Sequence, residues 1–290
     1  MSARLQLLII SDGKTGHLNQ SLGLAEAIGR ICATEINILE LDFQKGFFSR
    51  LRGAVAASEE FPQPNMVIAT GHATHFPLLW ISRKHGAGSI VLMKPSLPMS
   101  WFDFCIAPEH DFEGKAVPGN VITSKGALNR VVPAKIEKKG KLFLIGGPSK
   151  THGYDQAALI SQIAEIVGDE PWQLADSRRT PPTLLPALAA TLPSLEIFPH
   201  GETKPGWLAG KLSELEEIRV TEDSVSMIYE ALSSGAKVGL LPMPRLRPDN
   251  RVVKGLEKLE KDGFFIDGNN TCPPVLAEAD RCAEIVLSRT

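Results

Sequence analysis

What this sequence lacks narrows the field before anything it contains. It has four cysteines in 290 residues, Cys32, Cys105, Cys272 and Cys282, and no two of them form a CxxC pair. Such scatter suits neither a zinc site nor a disulfide framework, so reduced thiols in a reducing compartment are expected. No stretch approaches the roughly 18 apolar residues of a membrane-spanning helix. Between Arg4 and Ser11 there is only the short run Leu5–Ile10, too brief for a secretion signal with its cleavage site. An excess of one charge is missing as well. The 31 Lys and Arg stand against 33 Asp and Glu, a formal net charge of −2, which gives no electrostatic case for a nucleic-acid partner. The expected location is cytoplasmic, peripheral to the inner membrane at most.

What is present is the balance of an ordinary globular chain, 43% hydrophobic and 22% charged. Its length fits two domains of roughly 145 residues. Leu5–Ile10 reads as a buried strand that stops at a turn cluster, and apolar positions recurring from Asn19 to Ile31 read as a helix. Glu35–Leu41 alternates as a strand, and further strands are expected at Met66–Thr70, Ile90–Met93, Phe104–Ala107 and Val121–Thr123. Residues 132–141 (VPAKIEKKGK) turn abruptly to proline, lysine and glycine, the best linker candidate. The alternation then restarts with strands near 142–145, 172–175, 195–198, 218–221 and 238–241. Helices fall between them and near 251–261 and 274–288. The expectation is an α/β chain with an N-terminal domain over 1–134 and a C-terminal one over 138–290, each with a parallel sheet covered on both faces.

Ligands of open α/β sheets bind beyond the C-terminal strand ends, so those loops carry the candidates. In Ser11-Asp12-Gly13-Lys14-Thr15-Gly16-His17 the Gly-Lys-Thr is no Walker A, because that motif needs a glycine where Leu8 stands. A two-glycine turn, Gly13 and Gly16, leading into His17 remains, either a plain tight turn or a place where backbone N–H groups meet a polar substrate. Gly146-Gly147-Pro148-Ser149-Lys150 allows close backbone approach with Ser149 and Lys150 available to a phosphate, or is a solvated loop. Arg178 and Arg179, with Thr180, suit bidentate phosphate binding or are surface arginines. In segment 220–230 a strand runs into Asp223 and Ser224, both good N-caps, and a helix begins at once. Its N–H groups, with Ser226 in the first turn, suit a pyrophosphate, and Glu230 two turns in suits ribose hydroxyls; plain capping is the alternative.

His72, with His75 after it, and His110-Asp111 also follow strands and are weaker candidates, the second pair as a base with its orienting carboxylate. Neither set has three ligands at metal spacing, so no bound metal is expected. Residues 43–52 mix aromatics with basic residues. That composition suits an anionic membrane surface, but the reading favoured here puts the aromatics in the core and the bases in solvent.

Six segments together resemble a known family. They are SDGKTGHLNQSLGLAEAI (11–28), IAPEHD (106–111), TSKGAL (123–128), LIGGPSK (144–150), DSRRTPP (176–182) and VTEDSVSMIYEALSSGAKV (220–238). In this order they are similar to the mitochondrial fission family named after a plant elongated-mitochondria mutant, whose bacterial members are regarded as glycosyltransferases. The resemblance implies a GT-B fold, two Rossmann-like domains facing each other across a cleft, with the nucleotide-sugar donor on the C-terminal side and the acceptor on the N-terminal side. It also implies a last helix that packs back on the first domain. The turn into His17 is similar to the acceptor-facing turn of the peptidoglycan N-acetylglucosaminyltransferase. The spacing of Glu222 and Glu230 is similar to that of retaining GT-B enzymes, which implies Glu222 beside the donor sugar and Glu230 on the ribose. Asp223, Ser224 and Val225 stand where such enzymes carry glycines, and segment 200–207 (HGETKPGW) departs from the family's Asn-Pro-Tyr.

The function expected from the resemblance is metal-independent transfer of a sugar from a nucleoside-diphosphate sugar to a cell-envelope or lipid-linked acceptor. No resident cofactor is expected, since the nucleotide sugar is a co-substrate. Gly146, Gly147, Ser149, Lys150, Arg178, Arg179, Thr180, Asp223, Ser224, Ser226 and Glu230 would hold the donor, and Gly13, Gly16 and His72 the acceptor. His17, His110, Asp111 and Glu222 are the catalytic candidates. The alternatives are a non-catalytic adaptor for protein partners and a nucleotide-sugar epimerase.

Overall fold

The computed structural model describes residues 4–204, 206–247, 250–266 and 273–290, with only the backbone of residues 251 and 252. Cys272, and Pro205 of the 200–207 segment, lie outside the described residues. The chain divides into two compact units, Met1–Arg130 with Ala277–Thr290, and Val131–Leu276.

The first unit begins with β1 (Leu5–Ser11), α1 (Thr15–Ile31), β2 (Thr34–Glu40), α2 (Phe47–Ala57), β3 (Met66–Thr70) and α3 (His75–His85). It continues through β4 (Gly88–Leu92), β5 (Phe104–Pro108) and β6 (Val121–Ser124). All neighbours pair in parallel, in the order β2-β1-β3-β4-β5-β6, with Ile9 beside Ile38 on one side and Ile68 on the other. Successive side chains of a strand face opposite ways, so β1 feeds two cores. Leu7 and Ile9 pack with Leu24 and Ile28 of α1, Leu8 and Ile10 with Leu78 and Ile81 of α3. This two-sided burial is why β1 reads as an unbroken apolar run.

The second unit carries β7 (Lys141–Leu144), α4 (Gln156–Val167), β8 (Gln173–Ala175), α5 (Leu184–Thr191), β9 (Glu196–Phe198) and α6 (Trp207–Glu214). It ends with β10 (Glu217–Thr221), α7 (Val225–Ser233), β11 (Lys237–Leu241) and α8 (Arg251–Lys261). Its parallel order is β11-β10-β7-β8-β9. Leu142 and Leu144 face Ile228 and Leu232 of α7, whereas Phe143 and Ile145 face Leu159 and Ile163 of α4. The last helix, α9 (Glu278–Ser288), returns to the first unit. Its Cys282, Ala283 and Val286 are fully buried in the core that α1 faces. Arg30 of α1 meets Asp280 at 2.6 Å, and the Lys125 N–H donates to Glu278 at 2.8 Å.

Two expectations change. Helix α1 starts at Thr15 rather than Asn19, because its exposed first turn lies beyond the sheet and has no apolar stripe to announce it. Segment 132–141 directly follows the boundary between the units, and its Lys138 ammonium donates to the Ser213 and Ser234 carbonyls, both at 2.8 Å, within the second unit. The aromatics of 43–52 are not core. Phe43, Phe47 and Phe48 are 48%, 43% and 77% exposed, because α2 buries only the small Ala54 fully against the sheet.

Candidate functional site

In each sheet the chain starts in the middle, builds one side and then crosses to the other. The reversal falls between β1 and β3 in the first unit and between β7 and β10 in the second. Loops at such a reversal splay apart and leave a crevice beyond the strand ends. The strongest candidates leave these four strands and the neighbouring β8.

In the second unit the loops after β7, β8 and β10 are knitted together. The Gly146 N–H donates to Thr221 Oγ1 at 2.8 Å, and the Gly147 N–H to Asp223 Oδ2 at 3.0 Å. The Arg179 guanidinium meets the same Asp223 oxygen at 2.7 Å and donates to the Gly147 carbonyl at 2.8 Å and to Ser224 Oγ at 3.3 Å. Thr180 Oγ1 donates to the Ile145 carbonyl at 3.0 Å and to the Gly146 carbonyl at 2.5 Å. Both glycines are required by this closeness. A Cβ on Gly146 would strike the Asp223 carboxylate, and one on Gly147 the Arg179 carbonyl.

Plain capping, the alternative reading, does not occur at Ser224. Ser224 occupies the N-cap position of α7, yet its side chain makes no cap hydrogen bond, and its Oγ accepts from Arg179. The Asp223 carboxylate is occupied by Gly147 and Arg179. A helix start without a side-chain cap keeps N–H groups for an outside acceptor, at the positive end of the helix dipole. Arg178, Lys150 and Ser226 are exposed nearby in sequence, and Arg178 and Lys150 have no ion pair among the described residues. Ser149 plays a local part, its Oγ accepting from the Thr151 and His152 N–H groups at 3.2 and 3.0 Å. Glu230, partly buried on α7, has no hydrogen bond or ion pair among the described residues, and burial pushes its carboxyl up to about 7.

Glu222, expected beside the donor sugar, directly follows β10. It is 5% exposed, takes the Arg245 guanidinium at 2.7 Å and the Met243 N–H at 3.2 Å, and so ties the loop after β11 to the end of β10. Behind it lies His152, fully buried, whose Nδ1 meets Thr151 Oγ1 at 3.0 Å. Burial holds that imidazole below its ordinary pKa despite the neighbouring Glu222 and Asp223 charges. Among the described residues, His152 Nε2, the Tyr154 hydroxyl and Asp223 Oδ1 are buried with no hydrogen-bond partner.

In the first unit the carboxylate–imidazole pair is Asp12 with His17, at 2.9 Å between Oδ2 and Nδ1. Burial alone would raise the Asp12 carboxyl, but the His17 hydrogen bond and the Lys14 N–H outweigh it and hold it below its usual value. The imidazole lies against Gly71 (φ +98°), where a Cβ would come within 2.5 Å of His17 Nδ1. Ser21 and Thr70 meet at 2.8 Å beneath it. Gly13 and Gly16 are exposed with open space where a Cβ would stand, and α1 also has no side-chain N-cap.

The weaker histidine candidates fare less well. His110 has no hydrogen bond or ion pair among the described residues, so it forms no dyad with Asp111, whose carbonyl accepts from Lys94 at 3.3 Å. The short helical turn through both residues points successive side chains apart. His72 is exposed and packs edge-on against His75, 5.5 Å between ring centres. His75 is buried, and burial followed by the His72 charge lowers its pKa to about 4, so it is a neutral core ring at physiological pH.

Sequence reasoning missed Asp12, His152 and Arg245 as individual residues. The first and last had a signal, since both follow strands at or beside a reversal of strand order. His152 had none, being a single histidine in an irregular loop. Among the described residues no three His, Cys, Asp or Glu side chains cluster as metal ligands.

The chain is similar to UDP-GlcNAc 2-epimerase from Methanocaldococcus jannaschii at 12% identity and TM-score 0.56, covering 99% of this chain and 100% of that one. It is similar to UDP-GlcNAc 2-epimerase from Neisseria meningitidis, bound to UDP-GlcNAc, at 12% identity and TM-score 0.55, covering 99% and 100%. It is also similar to MurG from Acinetobacter baumannii at 12% identity and TM-score 0.50, covering 98% and 91%. At such identities the likeness speaks for the fold, which is GT-B, a fold shared by glycosyltransferases and epimerases. No curated protein matches by sequence. The model of one family, described as mitochondrial fission ELM1, matches residues 15–290, and with nearly the whole sequence covered, the chain belongs to that family.

Proposed function

We propose that the protein transfers a glycosyl group from a nucleoside-diphosphate sugar to an acceptor, with the donor diphosphate held at the start of α7. The observation that carries this reading is the uncapped helix start beside Arg179 and the paired glycines Gly146 and Gly147. In transfer, the bond between the sugar's anomeric carbon and the diphosphate oxygen breaks, its electron pair leaves on the diphosphate, and an acceptor oxygen bonds to that carbon. The helix N–H groups, Arg179 and the exposed Arg178 and Lys150 neutralise the leaving charge without a metal ion. Glu230, on the same helix, accepts from the ribose hydroxyls. The Asp12–His17 pair of the first unit is the acceptor-side base, its tautomer fixed by Asp12. Arg245 and Glu222 hold the loop after β11 in place.

Because similar structures include one bound to UDP-GlcNAc, UDP sugars are the donors to try first, with lipid-linked and cell-envelope glycans as acceptors. Expected is UDP release that depends on acceptor and falls about 100-fold in Arg179→Ala, the scale of losing one fixed donor to a developing anion. A sugar epimerised without any acceptor would instead make the protein an epimerase. Binding of no nucleotide sugar would favour a non-catalytic adaptor.

A further inference from the structure

The first unit exposes large aromatic side chains where a soluble surface seldom places them. On α2 and just before it, Phe43, Phe47 and Phe48 are 48%, 43% and 77% exposed, and on α3 Phe76 and Trp80 are 44% and 58% exposed. Trp101, in the loop before β5, is 48% exposed. They form one continuous surface. Phe47 contacts Phe48 and Phe76 edge-on, at 5.3 and 5.6 Å between ring centres. Two grooves of about 490 and 500 Å³ flank α3, one running to Phe48 and the other to Trp101, and they share Trp80 and Lys84.

Around these rings the carboxylates are Glu40, which lines a pocket with Arg50, the exposed Glu60, and two that are paired. The carboxylates of Asp42 and Glu59 are each matched to a lysine, Lys45 at 3.0 Å and Lys84 respectively. Arg50, Arg52 and Arg83 have no carboxylate partner among the described residues, and the Arg50 guanidinium lies 4.5 Å from the centre of the Phe43 ring. The whole chain carries −2, so unmatched cations among exposed aromatics are a local feature rather than a consequence of composition.

We propose that this α2–α3 face docks on an anionic lipid bilayer, its aromatic rings entering the headgroup–acyl boundary while Arg50, Arg52 and Arg83 meet lipid phosphates. Aromatic rings and arginines on one face are the chemistry of an interfacial membrane contact. A second copy of the chain fits poorly, since a two-fold contact would set these arginines against their own image. The described helices include none long and apolar enough to cross a membrane, so the contact is one of surface residence.

The test is flotation of the full chain with vesicles of phosphatidylcholine alone and of phosphatidylcholine with phosphatidylglycerol. Binding is expected to the anionic vesicles, to weaken with salt, and to fall about tenfold or more in Phe48→Ser/Trp80→Ser. Arg52→Glu/Arg83→Glu is expected to abolish the preference for anionic over neutral vesicles. Both pairs lie at the surface, so unchanged melting temperatures show that loss of binding is not loss of fold. Wild-type protein that ignores anionic vesicles, or variants that float like wild type, would overturn the proposal. So would a solution dimer that the Phe48→Ser/Trp80→Ser variant abolishes, which would identify a second copy as the occupant.

Discussion

The Asp223 side chain has no exposed surface, and its Oδ2 takes both the Gly147 N–H and the Arg179 guanidinium. Removing Arg179 leaves a buried carboxylate with one donor, so Arg179→Ala should lower stability by about 1–2 kcal/mol in addition to its effect on turnover. Denaturant unfolding of the unliganded protein measures this, and no change would mean that the pair is not formed in solution. Glu230 works in the opposite direction. Its folded pKa, about 7, lies above that of an unfolded glutamate. The folded state therefore holds the extra proton, and stability falls as pH rises from about 4.5 through 7. Glu230→Gln removes the buried charge, so at pH 8 it should be more stable than wild type by on the order of 3 kcal/mol. The gain should vanish near pH 4, and nucleotide binding should weaken at every pH. Gly146, Gly147, Arg179 and Asp223 were readable as candidates because strand-to-helix loops with glycine, arginine and hydroxyl residues attract anions. Their mutual bonds were not readable, because a contact such as Arg179 to Asp223 joins two loops far apart in sequence.

Among the elements, close packing of three loops makes the β7 turn intolerant of a methyl group. A Cβ on Gly147 meets a backbone carbonyl, which cannot move without its loop, whereas on Gly146 it meets the end of a side chain. Gly147→Ala should therefore cost about 2 kcal/mol or more and Gly146→Ala less, and thermal melting of the two variants side by side tests that order. Strands with buried apolar runs, such as β1 and β3, were legible to within a residue or so because both faces of each sheet are covered. The start of helix α7 was legible in segment 220–230, and the helix carries an apolar stripe toward the sheet. Helix α2 was not, since only Ala54 turns fully inward and its phenylalanines point outward, the reverse of the pattern that announces a surface helix.

For the whole molecule, the unit boundaries set what can be cut. Every candidate donor residue from Gly146 to Glu230 falls within Val131–Leu276. A fragment of residues 131–276 should therefore fold and bind nucleotide, whereas a cut that leaves α9 on the second unit strips the first of Cys282, Ala283 and Val286. Calorimetric binding by the fragment checks this, and a fragment that folds without binding would place part of the donor site elsewhere. Two tandem sheets were legible from the restart of strand–helix alternation after residue 141, but no local pattern says which sheet a terminal helix covers; membership of α9 in the first unit is settled by its packing on α1. The most direct test of the donor site at α7 is thermal-shift titration of wild type, Arg179→Ala and Glu230→Gln with nucleoside diphosphates and UDP sugars. Ligand at a hundred times its dissociation constant should stabilise wild type by about 2.7 kcal/mol, and both variants should need far higher concentrations for the same shift. A folded wild type that responds to none of them, or variants that respond like wild type, would contradict a nucleotide site at the start of α7.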